Sequence, residues 1–290
     1  MQDLEQAENR LDNIRIVEPI LSALRTISLG SWQAALKRKD GAHRYVERLA
    51  ATLPALSPHI PPSSPPMRGK ERRARTVALM VGSERGLCGR FNAAVVERAE
   101  RYLAEQEAAG AQVELVVMGT HAARILRRRK GAPAPATTLP ITGLPSHRLA
   151  FDLTHRWLAR HEEGELDAVD LIYNTYHGTG RYEPAVVRLI PPTLPTSETA
   201  ALPWPPIIET DPASLYARVV EQWTAVRLYK LLLESAAAEH SARFQLMEAA
   251  IQNAERLIDE LTLVVQTARQ QAITQEMQEL AAGAGLLGPR

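Results

Sequence analysis

Apolar residues recur at alternating spacings of four and three near the end of the chain: Met247, Ile251, Ala254, Ile258, Leu261, Val265, Ala268 and Ala272. That is a heptad seam held for over three repeats, the pattern of a helix that supercoils left-handedly around a partner. Gln252, Glu255, Arg256, Asp259, Glu260 and Gln266 occupy the other face. The helix has a legible start at Asp211-Pro212, an N-cap residue followed by proline at the first helical position. From there to about Ala282 the chain has neither proline nor glycine. At 1.5 Å per residue such a run makes a rod of roughly 105 Å. A chain of this length packs into a body with a radius of gyration near ~19 Å, so the rod is expected to leave that body or to bend.

Residues up to about Leu53 also read as helix. Leu4, Leu11, Ile14, Val17, Leu21, Leu24 and Ile27 lie on or near one stripe. Glu18 and Arg25 interrupt a strict heptad, and Pro19 sits in mid-run, where a proline costs about 3 kcal/mol and kinks a helix that does not restart there. Gly30 and Gly41 are expected to loosen the same segment. This helix is the natural partner for the C-terminal seam.

Between the two ends the texture alternates strand and helix. Thr76–Val81 reads as a buried strand, followed by a Gly-rich turn and a helix from about Phe91 to Gln106. Val113–Met118 is a second strand, with a short helix after it to about Lys130. A helix near Ser146–Glu163 precedes a third strand, Ala168–Asn174, and Pro184–Ile190 reads as an edge strand. This order predicts an α/β body with a small, mostly parallel, Rossmann-like sheet. Three Pro-rich stretches punctuate the chain: Pro54–Pro66, Gly131–Pro145 and Pro191–Pro206. The expected organisation is therefore 1–53 N-terminal helix, 54–75 Pro-rich and basic linker, 76–190 α/β domain, 191–210 linker and 211–290 C-terminal helix.

Composition narrows the class. The 290 residues are 45% hydrophobic and 23% charged, which excludes wholesale disorder. Aromatics at 5% are sparse, and Leu and Ala carry most of the apolar content, which leans towards helices and away from a β-sandwich. The single cysteine, Cys88, excludes an internal disulfide framework. No apolar run reaches membrane-spanning length, the first ten residues do not read as a signal peptide, and a cytoplasmic setting is expected. A net charge of +1 provides no global attraction to nucleic acid or anionic lipid.

Candidate chemistry is thin. Gly82–Asn92 (GSERGLCGRFN) opens a helix and invites a phosphate-binding reading, because backbone N–H groups and a helix N-terminus attract anions. Its glycines fit neither the P-loop nor the dinucleotide spacing. A small-molecule-binding α/β protein using the Gly82–Gly89 turn stays open as an alternative. Cys88 beside Arg85 and Arg90 could form a thiolate, but reads first as a small buried hydrophobe. His155 and His161, six apart, do not share a helical face, and no metal, cofactor or catalytic set emerges. The basic clusters Arg68–Arg75 and Arg124–Lys130 lack neighbouring aromatics on which bases could stack, so they read as solvated charge. An anionic partner for them is the rival.

The termini and the turn resemble a known family, the γ subunit of the F-type ATP synthase, its central stalk. Ala268–Leu280 (ARQQAITQEMQEL) is close to the family signature A-R-Q-x-x-I-T-x-E. Arg243, Met247, Ala249, Ala250, Asn253 and Ala254 are similar to R-x-x-x-M-x-A-A-x-x-N-A, and GSERGLCG resembles S-D-R-G-L-C-G. The resemblance implies that the terminal helices form a long antiparallel coiled coil inside a ring of α and β ATPase subunits. The α/β body would contact the ε subunit and the membrane rotor ring of c subunits. The protein would be non-catalytic and without cofactor. It would sit peripherally on the cytoplasmic face of the plasma membrane, its rotation driving affinity changes at the β sites as protons or sodium ions flow. Arg269, Gln270 and Thr274 would face the β subunits, and Leu286 and Leu287 would end the shaft in an apolar collar. The N-terminal helix departs from the family's K-I-T-K-A-M: Pro19-Ile20-Leu21-Ser22-Ala23-Leu24 keeps only Ile20 and Ala23. Two positive charges are lost there, which points to a divergent or secondary ATPase as the alternative within the family.

Overall fold

The structure is a computed structural model and describes residues 2–56, 74–129, 135, 137–141, 143–193 and 207–283. In chain order it contains α1 (Gln2–Leu56), β1 (Arg75–Val81), α2 (Phe91–Ala108), β2 (Gln112–Met118), α3 (Thr120–Arg128), β3 (Thr137–Leu139), α4 (His147–Glu162), β4 (Ala168–Tyr176), β5 (Tyr182–Ile190) and α5 (Pro212–Gly283). They form two compact units, one of Ser28–Arg243 and one pairing Met1–Ile27 with Phe244–Arg290. The Pro-rich residues 57–66, the basic residues 67–73, Lys130 and the residues 194–206 lie outside the described residues, as do Leu286 and Leu287.

The larger unit is built on a five-stranded sheet in the order β3-β2-β1-β4-β5. β1 pairs in parallel with β2 and β4, and β2 with β3; only β5 is antiparallel, paired to β4. β1 is buried along all but its first residue, and a strand buried on both faces needs no polar alternation. Its side chains divide by parity. Val77, Leu79 and Val81 join Leu153 and Trp157 of α4 and Leu228 and Leu232 of α5 on one face. Ala78 and Met80 join Val95 and Ala99 of α2 and Ala122 and Leu126 of α3 on the other. Ser146 caps α4, its hydroxyl accepting the Leu149 N–H at 3.2 Å. Asp211 caps α5, accepting the Ser214 N–H at 2.8 Å.

β3 lies inside the second Pro-rich stretch, where no strand was expected. Two threonines and a leucine suffice because it pairs along one side only, with Val116–Met118 of β2, so a neighbouring proline costs no ladder bond. α1 runs as one helix through Pro19, Gly30 and Gly41. No neighbour lies within 4 Å of a Cβ built on Gly30 or Gly41, so neither glycine is required by packing. The helix is held instead by what it packs on, since a long amphipathic helix draws its stability from tertiary contact more than from propensity. In this unit Ala35 of α1 is fully buried against Ala236 and Ala237 of α5. Lys39 meets Glu234 at 3.5 Å and His43 meets Lys230 at 3.3 Å, so four residues forward on α1 is four back on α5.

The smaller unit repeats that antiparallel pairing with the other ends of the same helices. Arg25 bonds Glu248 at 2.7 Å, and Glu8 accepts from Arg269 at 2.6 Å. Leu11 of α1 is buried, as are Met247, Ile251, Ala254 and Val265 of α5. Ile258, Leu261 and Ala268 are half-buried. Ala272 is exposed, as is every side chain from Arg269 to Leu280. Among the described residues the buried and half-buried seam positions of α5 thus end at Ala268.

Candidate functional site: the Gly82–Gly89 turn and the helical tip

The turn leaves the C-terminal end of β1, where open α/β sheets commonly bind ligands. Its donors therefore decide whether an anion could be held there. The Ser83 N–H donates to Asn92 Oδ1 at 2.9 Å, Asn92 Nδ2 donates to Ser83 Oγ at 2.7 Å, and the Ser83 hydroxyl donates to the Arg85 carbonyl. Glu84 lies at the N-terminus of α3, where its carboxylate accepts the Thr120 N–H at 3.0 Å, the Thr120 hydroxyl at 2.7 Å and the Ile141 N–H at 3.1 Å. Burial opposes its charge, but these bonds and the nearby Arg124 guanidinium hold the carboxyl below the usual glutamate range. The anionic place at that helix end is thus filled by the chain's own carboxylate.

The glycines serve close packing. A Cβ on Gly82 would stand 2.2 Å from Ala122 Cβ, and Gly119, at φ +98°, passes so near the turn that a Cβ would meet the Ser83 carbonyl oxygen at 2.6 Å. Cys88 is buried, which pushes its thiol up, away from a reactive thiolate. Leu87 takes the left-handed conformation at φ 60° and remains exposed.

α5 locks this turn from outside. The Arg243 guanidinium donates to the Gly86 carbonyl at 3.2 and 3.3 Å, to the Arg85 carbonyl at 3.4 Å and to Glu239 Oε1 at 2.7 Å. Burial pushes the Glu239 carboxyl up despite Arg243. It also holds neighbouring His240 down at about 4, with the Arg243 charge adding to the effect. Deeper in the sheet, Tyr102 of α2 donates to Asp170 of β4, which also takes a two-pronged bond from Arg188 of β5 at 2.7 and 2.8 Å. Among the described residues no three His, Cys, Asp or Glu side chains converge on a metal position.

Of the expected contact residues, Arg269 is exposed and engaged by Glu8. Gln270 is exposed, and its carbonyl accepts the Thr274 hydroxyl at 2.8 Å, one turn along the same helix. Arg124, Arg127 and Arg128 of the second basic cluster are exposed on α3, while Arg129 pairs with Glu97 and Glu100. His155 bonds Glu221 and His161 bonds the Leu166 carbonyl, so the two do not meet. Asn92, Glu239 and Asp170 were missed by the sequence reading. For Asp170 a signal was present, an acid inside the apolar run AVDLIYN.

A family model described as ATP synthase matches residues 3–287. The ATP synthase gamma chain of a Synechococcus species is 30% identical over 315 residues, covering 99% of this chain and 99% of the relative. The chain belongs to the ATP synthase gamma chain family. The gamma chain of Rubrobacter xylanophilus is also 30% identical, over 293 residues and 99% of each chain. The fold is similar to a chain in a cryo-EM structure of the Euglena gracilis mitochondrial ATP synthase, at a TM-score of 0.62 and 14% identity, covering 99% of this chain and 95% of that one. A gamma chain is a non-catalytic subunit, and here two stretches of gamma-chain pattern, the GSERGLCG turn and the one beginning at Arg243, touch through the Arg243 guanidinium.

Proposed function

We infer that this gamma chain is the central-stalk rotor subunit of a rotary ATP synthase, its coiled coil turning inside a ring of α and β subunits and its α/β unit held by the ε subunit and the ring of c subunits. The observation that carries the reading is the antiparallel pairing of α1 with α5, pinned by Glu8–Arg269 and Arg25–Glu248, in a chain related to gamma chains over its full length. Such a shaft acts as an effector: its contacts differ among the β subunits, and those differences set their nucleotide affinities. Met247, Ile251, Ala254, Ile258, Leu261, Val265 and Ala268 form the seam that keeps two helices turning as one rod. Arg269, Gln270 and Thr274 face the β subunits. Ion flow, of protons or sodium ions, drives the c-ring, and the complex sits peripherally on the cytoplasmic face of the membrane. Among the described residues no helix is long and apolar enough to cross a membrane, in keeping with a peripheral subunit.

Reconstitution tests this. Mixed with α and β subunits, the chain is expected to co-elute with them and to support ATP hydrolysis. Gln270→Ala and Thr274→Ala should leave folding intact, because both side chains are exposed and the Thr274 hydroxyl bonds the Gln270 carbonyl of its own helix, and should lower the hydrolysis rate of the assembled ring. A chain that stays apart from α and β subunits, or variants with wild-type rates, would count against the reading.

A further inference from the structure

The β4–β5 hairpin meets the start of α2 beside an open groove of about 520 Å³, whose lining includes Arg90, His177, Arg181, Tyr182 and Glu183. Its walls are fixed from behind. The Gly180 N–H donates to the Ser241 hydroxyl of α5 at 3.4 Å, and Ser241 is fully buried. Asn174 Nδ2 donates to the Phe91 carbonyl at 2.9 Å, and the Tyr182 ring stands edge-on to Phe91 with centroids 5.5 Å apart. The Arg181 N–H closes the hairpin turn on the Gly178 carbonyl at 3.1 Å. Gly178, at φ +122°, leaves room for the Arg181 side chain, since a Cβ there would meet the guanidinium at 3.2 Å.

The groove holds more donors than the chain uses. Among the described residues the Arg181 guanidinium pairs with no carboxylate, and the Tyr182 hydroxyl has no hydrogen-bond partner. Burial and the Cys88 thiol push that hydroxyl up, with Arg90 opposing, so it stays a donor. Arg90 reaches Glu97 only at 3.6 Å, and His177 reaches Glu183 only at 3.9 Å. Two guanidiniums lining one groove suit a compact dianion. A phosphate group carries about two charges and three acceptor oxygens, which guanidinium forks bond in pairs. Glu97 and Glu183 flank these cations, so an extended run of carboxylates would meet a repulsion that one small anion avoids.

We propose that the groove between the β4–β5 hairpin and the start of α2 binds a phosphate group, with Arg181 and Arg90 as its cations and the Tyr182 hydroxyl as a neutral donor. The site lies wholly within the larger unit and stands whether or not the chain turns in a ring.

Titration of the full chain with inorganic phosphate, followed through the amide chemical shifts of Gly178, Gly180 and Arg181, tests it. The shifts should saturate with a dissociation constant on the order of 1 mM, and sodium chloride at equal ionic strength should not reproduce them. Arg181→Gln and Arg90→Gln should each weaken binding about tenfold, with unchanged unfolding midpoints because both side chains are exposed. Arg127→Gln, on α3, should bind as wild type. Flotation with phosphatidylglycerol vesicles separates the sources. Flotation that is lost in Arg181→Gln would support the site with a lipid headgroup as its phosphate; phosphate binding without flotation would support it with a soluble ligand. Flat shifts without flotation, or a titration that neither arginine variant alters, would overturn the proposal. So would Arg181-dependent binding of a hexaglutamate peptide by a chain that ignores phosphate, which would assign the groove to an acidic protein segment.

Discussion

Arg243 bridges α5 and the turn after β1, satisfying two backbone carbonyls and the buried Glu239 carboxylate at once. Removing one partner of a buried charge pair leaves the other uncompensated. Arg243→Leu is therefore expected to cost about 3–5 kcal/mol in urea unfolding, and an unchanged midpoint would show that the clamp is dispensable. His240 provides a pH signature. Its folded pKa of about 4 lies below the ordinary histidine value near 6.5, so between those values the unfolded chain binds the proton and the folded chain does not. Stability then falls as pH drops through that window. Glu239, raised by burial, works in the opposite sense above the usual glutamate range. The difference between wild type and His240→Gln isolates the histidine: the variant should lose less stability from pH 6.5 to 4, by up to about 3 kcal/mol. Parallel curves would place His240 in water. None of this lock was legible beforehand except Arg243 itself. Asn92, Glu239 and Ser83 are ordinary polar residues in sequence, and only the approach of α5 to the turn makes them a network.

At the scale of elements, periodicity carried the reading furthest where it was longest. The start of α5 at Asp211-Pro212, the parallel strands around β1 and the edge position of β5 follow from caps, apolar runs and their order; the antiparallel direction of β5 does not. β3 escaped because three residues among prolines make no pattern. α1 continues through Pro19, so the local cost of that proline does not end the helix. The buried positions of α5 in the smaller unit make a direct prediction. Ile251 is 7% exposed, and Ile251→Asp would place a charge in the apolar contact, costing more than about 2 kcal/mol. Hydrogen exchange should then accelerate in 2–27 and 244–283 while the sheet stays protected. Uniform protection in both units would refute the seam.

For the molecule as a whole, the sequence revealed the family through its C-terminal signature and the GSERGLCG turn, yet not how the turn works. The turn closes on itself and on Arg243, so its resemblance to an anion loop ends at the glycines. Pro19–Leu24 carries no charge, and Ile20 within it is 55% exposed. The claim on which all of this depends is that the coil turns within a catalytic ring. Single-molecule observation of an immobilised α/β ring assembled with this chain, with a bead fixed to the α/β unit, tests it most directly. Addition of ATP should produce steady rotation in one direction, stopping when nucleotide is removed; hydrolysis that proceeds while the bead stays still would contradict the account.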